Sequence, residues 1–348
     1  MNKQIPVGGQ AVLEGVMMRS PNSLAVAVRR PNNEIVIKEA VWRSIWDRLK
    51  FLKWPFFRGS VIMVEAMING MQALNFSAQE SMPEEDGGAD AVSDNKLLFV
   101  LPLILSTVLA IGMFKLLPHL AATYAGEVLF NKALTVDDLS YHLLDGLVKI
   151  VLFVGYIAAI GSMKDIRRVF QFHGAEHMSI YTYEAGEELT VENARNKSTL
   201  HPRCGTAFLM VVILVFIVVS ALVLPFVPEW VKPGDGKPWY NHLLLVLTKL
   251  PLLIPVAGIS YEFNRFAGKH SDNPFLKPFI LPGLAMQLLT TKRPSDDQLE
   301  IGLVALRTAL WREKVGGTVE DGDEVLVFDN FGAFEDASDD LRPARVAT

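Results

Sequence analysis

The sequence predicts an α-helical polytopic membrane protein of about four transmembrane helices, with a small N-terminal β-hairpin/α cytoplasmic region. Three observations carry this. Half of the 348 residues are hydrophobic, and the mean hydropathy of +0.27 is high for a soluble chain of this length. The apolar excess is gathered into separate blocks of membrane-spanning length. Basic residues alternate between the connecting segments in the pattern of the positive-inside rule.

The four blocks run from Leu97 to Leu117, Leu143 to Met163, Gly205 to Val227 and Leu243 to Tyr261. At about 1.5 Å per residue, each can cross a hydrocarbon core about 30 Å thick. The third block carries no charge. The first holds Lys115, the second Asp145 and Lys149, and the fourth Lys249. Asp145 and Lys149 are spaced to neutralise each other on one helix face, and Lys249 is expected to snorkel outward. Pro251, Pro255 and Gly258 predict a kink in the fourth block. A fifth apolar run at 274–290 holds three prolines and Lys277 and reads as interfacial or re-entrant.

Residues 1–96 hold 11 Lys and Arg, residues 164–204 hold six, and the part after Tyr261 holds ten. Segment 118–142 has only Lys132, and 228–242 only Lys232 and Lys237. A multi-pass cell-membrane protein with both termini cytoplasmic is therefore expected, with segment 164–204 on the same side.

The polar parts divide the chain further. Residues 1–78 read as an N-terminal cytoplasmic unit. In it, two β-runs flank the Pro31-Asn32-Asn33 turn, and an aromatic and basic helical stretch follows from Trp42, suited either to the membrane surface or to a soluble core. Residues 79–96 read as an acidic linker, 97–290 as the membrane domain, 291–316 as a C-terminal cytoplasmic helix and 317–348 as an acidic disordered tail. Ser295 and Gln298 form a capping-box pattern at the start of the C-terminal helix, in which Leu299, Leu303, Leu306 and Leu310 make one apolar stripe.

Composition narrows the function. A net charge of −5 argues against nucleic-acid binding, which leaves the lipid bilayer as the expected partner. Cys204 is the sole cysteine, so no disulfide closes within the chain. The first residues lack the apolar core of a cleaved signal peptide.

The chemistry concentrates in H-G-A-E-H at 173–177. Spacing i, i+3, i+4 puts His173, Glu176 and His177 on one helix face. This H-x-x-E-H arrangement suits a divalent metal, zinc by donor type, with Glu176 as general base for an attacking water. Catalytic zinc takes three protein ligands, and Glu262 at the end of the fourth block is the preferred third. His201 and Cys204, just before the third block, are its rivals, and a site holding both would be closed and structural. Arg167 and Arg168 read as membrane anchors, and Glu192 with Arg195 as a supporting pair near the site.

Four segments, G-G-Q-A-V-L-E-G-V-M-M-R at 8–19, F-H-G-A-E-H at 172–177, L-T-V-E-N-A-R at 189–195 and H-P-R-C-G-T at 201–206, together resemble the YqhQ-like family. This is a bacterial membrane-protein family of unknown function, described as metal-dependent by prediction. The resemblance runs from about Gly8 to Leu310. It implies a metal site at His173, Glu176 and His177, and it marks Gly9, Glu14 and Arg19 as motif positions. It implies no substrate. A metal-dependent hydrolase, a non-enzymatic scaffold or assembly factor with a structural metal, and a transporter are the competing expectations, in that order.

Overall fold

The computed structural model describes residues 4–44, 54, 57–82, 96–132, 134–233, 237–270, 273–316 and 324–337. The N-terminal residues form more than a hairpin. Strands β1 (Gly8–Val12), β2 (Gly15–Arg19), β3 (Ser23–Arg29) and β4 (Ile35–Val41) make an antiparallel meander. The tight β1–β2 turn puts Glu14 at φ 50°, and Asn33 at φ 72° turns the chain between β3 and β4.

A fifth strand, β5 (Glu324–Phe328), pairs antiparallel with β4. It is followed by a short helix (Phe331–Asp336) whose Phe334 joins the core. The expectation of a wholly disordered acidic tail is thus corrected for these residues. The run Val325–Phe328 covers the free edge of β4, burying Leu326 and Phe328. The linker expected at 79–96 falls largely outside the described residues.

Both faces of the sheet are covered, which is why its strands are apolar on both sides. On one face Val16, Met18, Ala25, Ala27, Ile35 and Ile37 pack against the helices Lys164–Glu184 and Asp296–Val315. On the other, Val12, Met17, Val26 and Val28 meet Ala73 of α1 (Phe57–Ser81). Helix α1 has one side packed on the sheet and one exposed apolar side. It buries Ala73 and Ser77 at the sheet, yet exposes Met63, Val64, Met67, Ile68, Met71 and Leu74 at helical spacing.

Among the described residues, four helices are long and apolar enough to cross a membrane: Ile104–Phe130, Leu139–Ile160, Gly205–Phe226 and Tyr240–Gly268. The first is built from α2 (Lys96–Ile111), a π-helical turn (Gly112–Leu116) and α3 (Leu117–Phe130). It extends well past the expected end at Leu117. Pro118 has no N–H to offer Phe114, and the widened turn absorbs that loss without ending the helix. The second is α4 (Leu139–Ile160), and the third is α7 (Gly205–Val223) with a 3₁₀ turn (Leu224–Phe226). The fourth breaks near Pro251, as expected, into α8 (Tyr240–Lys249) and α9 (Leu253–Lys269).

Three further helices set up the site. The helix α5 (Lys164–Glu184) carries the H-G-A-E-H motif, and α6 (Val191–Arg195) follows it. Helix α10 (Lys277–Thr290) has 14 residues, about 21 Å, too short for a 30 Å core. It lies against α7, where Gly283 meets Ala207. Helix α11 (Asp296–Val315) starts at the capping box of Ser295 and Gln298. Instead of presenting one stripe it is buried almost all round, between the sheet, α5 and α6.

Candidate metal centre

Glycine at 174 lets α5 come close enough to form the site. A Cβ there would lie 2.0 Å from the Lys292 carbonyl oxygen. Only a bare Cα lets the chain after α10 pass this closely, and the Lys292 N–H donates to the Phe170 carbonyl at 2.9 Å. The same passage brings the C-terminal end of α10 onto His173.

The two histidines are oriented by backbone carbonyls. Nδ1 of His173 donates to the Thr290 carbonyl at 2.9 Å, and Nδ1 of His177 donates to the Thr199 carbonyl. A carbonyl accepts only, so each ring carries its proton on Nδ1 and keeps the Nε2 lone pair free. The rings lie edge to face with centroids 4.5 Å apart. Nε2 of His173 is 3.1 Å from Cys204 Sγ. Nε2 of His177 is buried without a hydrogen-bond partner.

His173, His177 and Cys204 each offer one ligand atom within 4.8 Å of the other two, the group of this kind among the described residues. Cys204 is positioned as the N-cap of α7, with Thr206 N–H donating to its sulfur at 3.4 Å. Two borderline imidazole nitrogens, one soft sulfur and carbonyl partners behind both rings form a donor set that fits a zinc-like cation. Burial pushes the His177 imidazole below its usual pKa, so the neutral, ligating form is favoured.

Glu176 stands beside this group rather than in it. Its side chain is buried against β1, where a Cβ on Gly9 would come within 2.9 Å of Glu176 Cγ. Burial raises its carboxyl pKa, opposed by His173, His201 and the Gly9 N–H. Gly9, a motif position, is therefore the wall on which Glu176 rests. The other two motif positions lie elsewhere: Glu14 pairs with Arg168, and Arg19 stacks over Trp42 at 3.4 Å.

Two of the candidate third ligands are held elsewhere. Glu262 forms a two-point ion pair with Arg58 of α1. His201 accepts the Arg203 N–H at Nδ1 and turns Nε2 toward Glu184 at 3.4 Å. Its backbone is clamped by Gln287, which donates to the His201 carbonyl and accepts its N–H, both at 2.7 Å. His201 thus packs beside His177, with ring centroids 5.6 Å apart, but outside the ligand group. Arg195 pairs with Asp296 rather than with Glu192. Gln287 was not foreseen, because a glutamine in an apolar run carries no signal until its partner is known.

A cleft of about 340 Å³ lies beside Thr199, lined also by Lys197, Ser198, Thr291 and Arg293.

Fold and site together define a largely helical protein with four candidate membrane helices, an N-terminal sheet and a largely buried His/Cys cluster. Residues 54–312 match the family described as "Protein of unknown function (DUF1385)", and the chain belongs to that family. It is 34% identical over 313 residues to the "Uncharacterized protein YqhQ" of Bacillus subtilis (strain 168), covering 87% of this chain and 92% of that protein. No solved structure matches the chain.

Proposed function

We propose that this is an integral membrane metalloenzyme, a hydrolase, holding a divalent cation, zinc by donor chemistry, on His173, His177 and Cys204. One observation carries the reading: two Nε2 lone pairs, fixed by carbonyls behind the rings, converge on a single sulfur. Zinc in such a site supplies Lewis acidity and activates water near neutral pH. Three protein ligands leave a fourth position for substrate or water, the mark of a catalytic site rather than a closed one.

The chain's own residues supply the rest. His173 and His177 keep their lone pairs directed at the centre, and Thr290 and Thr199 hold those rings in place. Glu176, one helical turn from His173, is the group suited to take a proton from an attacking water. Its burial keeps the carboxyl basic enough for that task.

The distribution of Lys and Arg supports a cytoplasmic position for this centre, with both termini on the same side. The exposed apolar stripe of α1 would then rest on the inner membrane surface and hold the sheet against it.

A structural metal is the second reading, favoured by the burial of His177 and Cys204 and by the way the cluster ties α5, the start of α7 and the end of α10 together. Glu176→Gln separates the two. The hydrolase reading expects metal-replete, normally abundant protein that fails to complement a deletion strain. Complementation by metal-replete Glu176→Gln protein would remove the hydrolase and leave the structural metal.

A further inference from the structure

A second chemically distinctive place lies between the candidate spans, away from the His/Cys cluster. Lys249, expected to snorkel outward, is fully buried instead and donates to the Tyr141 hydroxyl at 2.8 Å. Its ammonium is 3.7 Å from Asp145, which also pairs with Lys149 on the next turn of α4. Tyr141 in turn hydrogen-bonds His119 at 2.6 Å. Asp145 is therefore engaged by two lysines.

Lys115 makes a third cation here. Its ammonium lies 3.6 Å from the centre of the Phe216 ring, and Lys149 lies 5.2 Å from the same ring. Among the described residues no carboxylate lies within ion-pairing distance of Lys115, so three lysines face one aspartate. Lys115 sits 11 residues from Ile104 and 15 from Phe130 along its span. An excess of positive charge inside a span is costly without a counter-charge.

The space beside these lysines has a definite character. A cavity of about 240 Å³ is lined by Lys115 and Lys149 together with Phe114, Phe153, Ile213 and Phe216. The π-helical turn contributes both Phe114 and Lys115 to its wall, and such turns recur at functional sites. At its rim Leu209 and Tyr156 are 43% and 44% exposed on the surface that lipid would cover, so the cavity opens sideways between the helices.

We propose that this cavity binds a long-chain carboxylate, its head between Lys115 and Lys149 and its chain along Phe114, Phe153 and Phe216 toward the lateral opening. Charge complementarity selects the anionic head, because Asp145 leaves the lysines in excess. The apolar walls select the chain. At about 240 Å³ the cavity takes a small head and the first part of one chain, the rest of which would leave through the lateral opening.

The test uses the purified full chain in dodecyl maltoside with radiolabelled oleate. Saturable binding is expected, weakened on the order of tenfold by Lys115→Gln, since a charge-assisted contact is lost. Filling the cavity with Ile213→Trp should weaken it as much. Size-exclusion profiles identify variants that have misfolded. For the unaltered protein, a tenfold excess of oleyl alcohol or inorganic phosphate should fail to displace bound oleate. Absence of oleate binding, equal binding by folded Lys115→Gln protein, or displacement by the alcohol or by phosphate alone would each overturn the proposal. Tighter binding of dioleoyl phosphatidate than of oleate would overturn the choice of a carboxylate.

Discussion

Nε2 of His173 lies 3.1 Å from Sγ of Cys204, joining positions 31 residues apart. With Nδ1 of His173 committed to a carbonyl, Nε2 accepts, and the thiol is the donor when no cation is present. A bound cation would replace that proton. Because Cys204 is the sole cysteine, its state can be read without background. Alkylation of native protein by a small thiol reagent should speed up at least severalfold after chelation, as a ligating thiolate is shielded. An alkylation rate unchanged by chelator, with full labelling after denaturation, would contradict ligation by Cys204.

Gly174→Ala should be the most disruptive conservative change in the motif. The added methyl would meet the Lys292 carbonyl at 2.0 Å, a backbone atom with no freedom to rotate away. Overpacking of this kind costs about 1–3 kcal/mol or more, and here it would also draw the Thr290 carbonyl off His173. A marked fall in thermal midpoint together with lost metal is expected. An unaltered midpoint would show that the passage of Lys292 over α5 is looser than described.

Burial pushes Glu39 of β4 up to about 7 from 4.5, opposed by Arg312 of α11 and assisted by Glu324 of β5. A raised folded-state pKa means that the folded protein holds the proton over a range where the unfolded chain has lost it. The stability from this group is full below about 4.5 and is lost as pH rises through about 7. The thermal midpoint should therefore decline between pH 5 and 8, and Glu39→Gln should flatten that decline. Equal slopes for both proteins would mean that Glu39 does not titrate in this range.

Much of this was legible from local pattern. The spacing of His173, Glu176 and His177 needs only a helix, and a capping box needs only four residues, so both could be read directly. Candidate spans were visible because apolar length is a local property. Long-range capture was not. Glu262 looked available at the end of its span, but Arg58 claims it from 204 positions away. Cys204 carried the same prior weight as His201, and the difference lies in Arg203 and Glu184 occupying both nitrogens of the His201 ring. The strand at 324–328 was hidden for a similar reason: it needs the edge of β4, nearly 300 residues earlier, to make its short apolar run a strand. Lys249 looks free to snorkel in the sequence because its partners, Tyr141 and Asp145, lie on another helix.

The most direct test of the central claim is metal content by mass spectrometry of the purified protein, beside His177→Ala and Cys204→Ser. The account predicts close to one equivalent of zinc in the unaltered protein and a large loss in both variants, with their folded yield confirmed by size exclusion. Folded protein purified without chelator that carries no metal, or variants that keep a full equivalent, would contradict it.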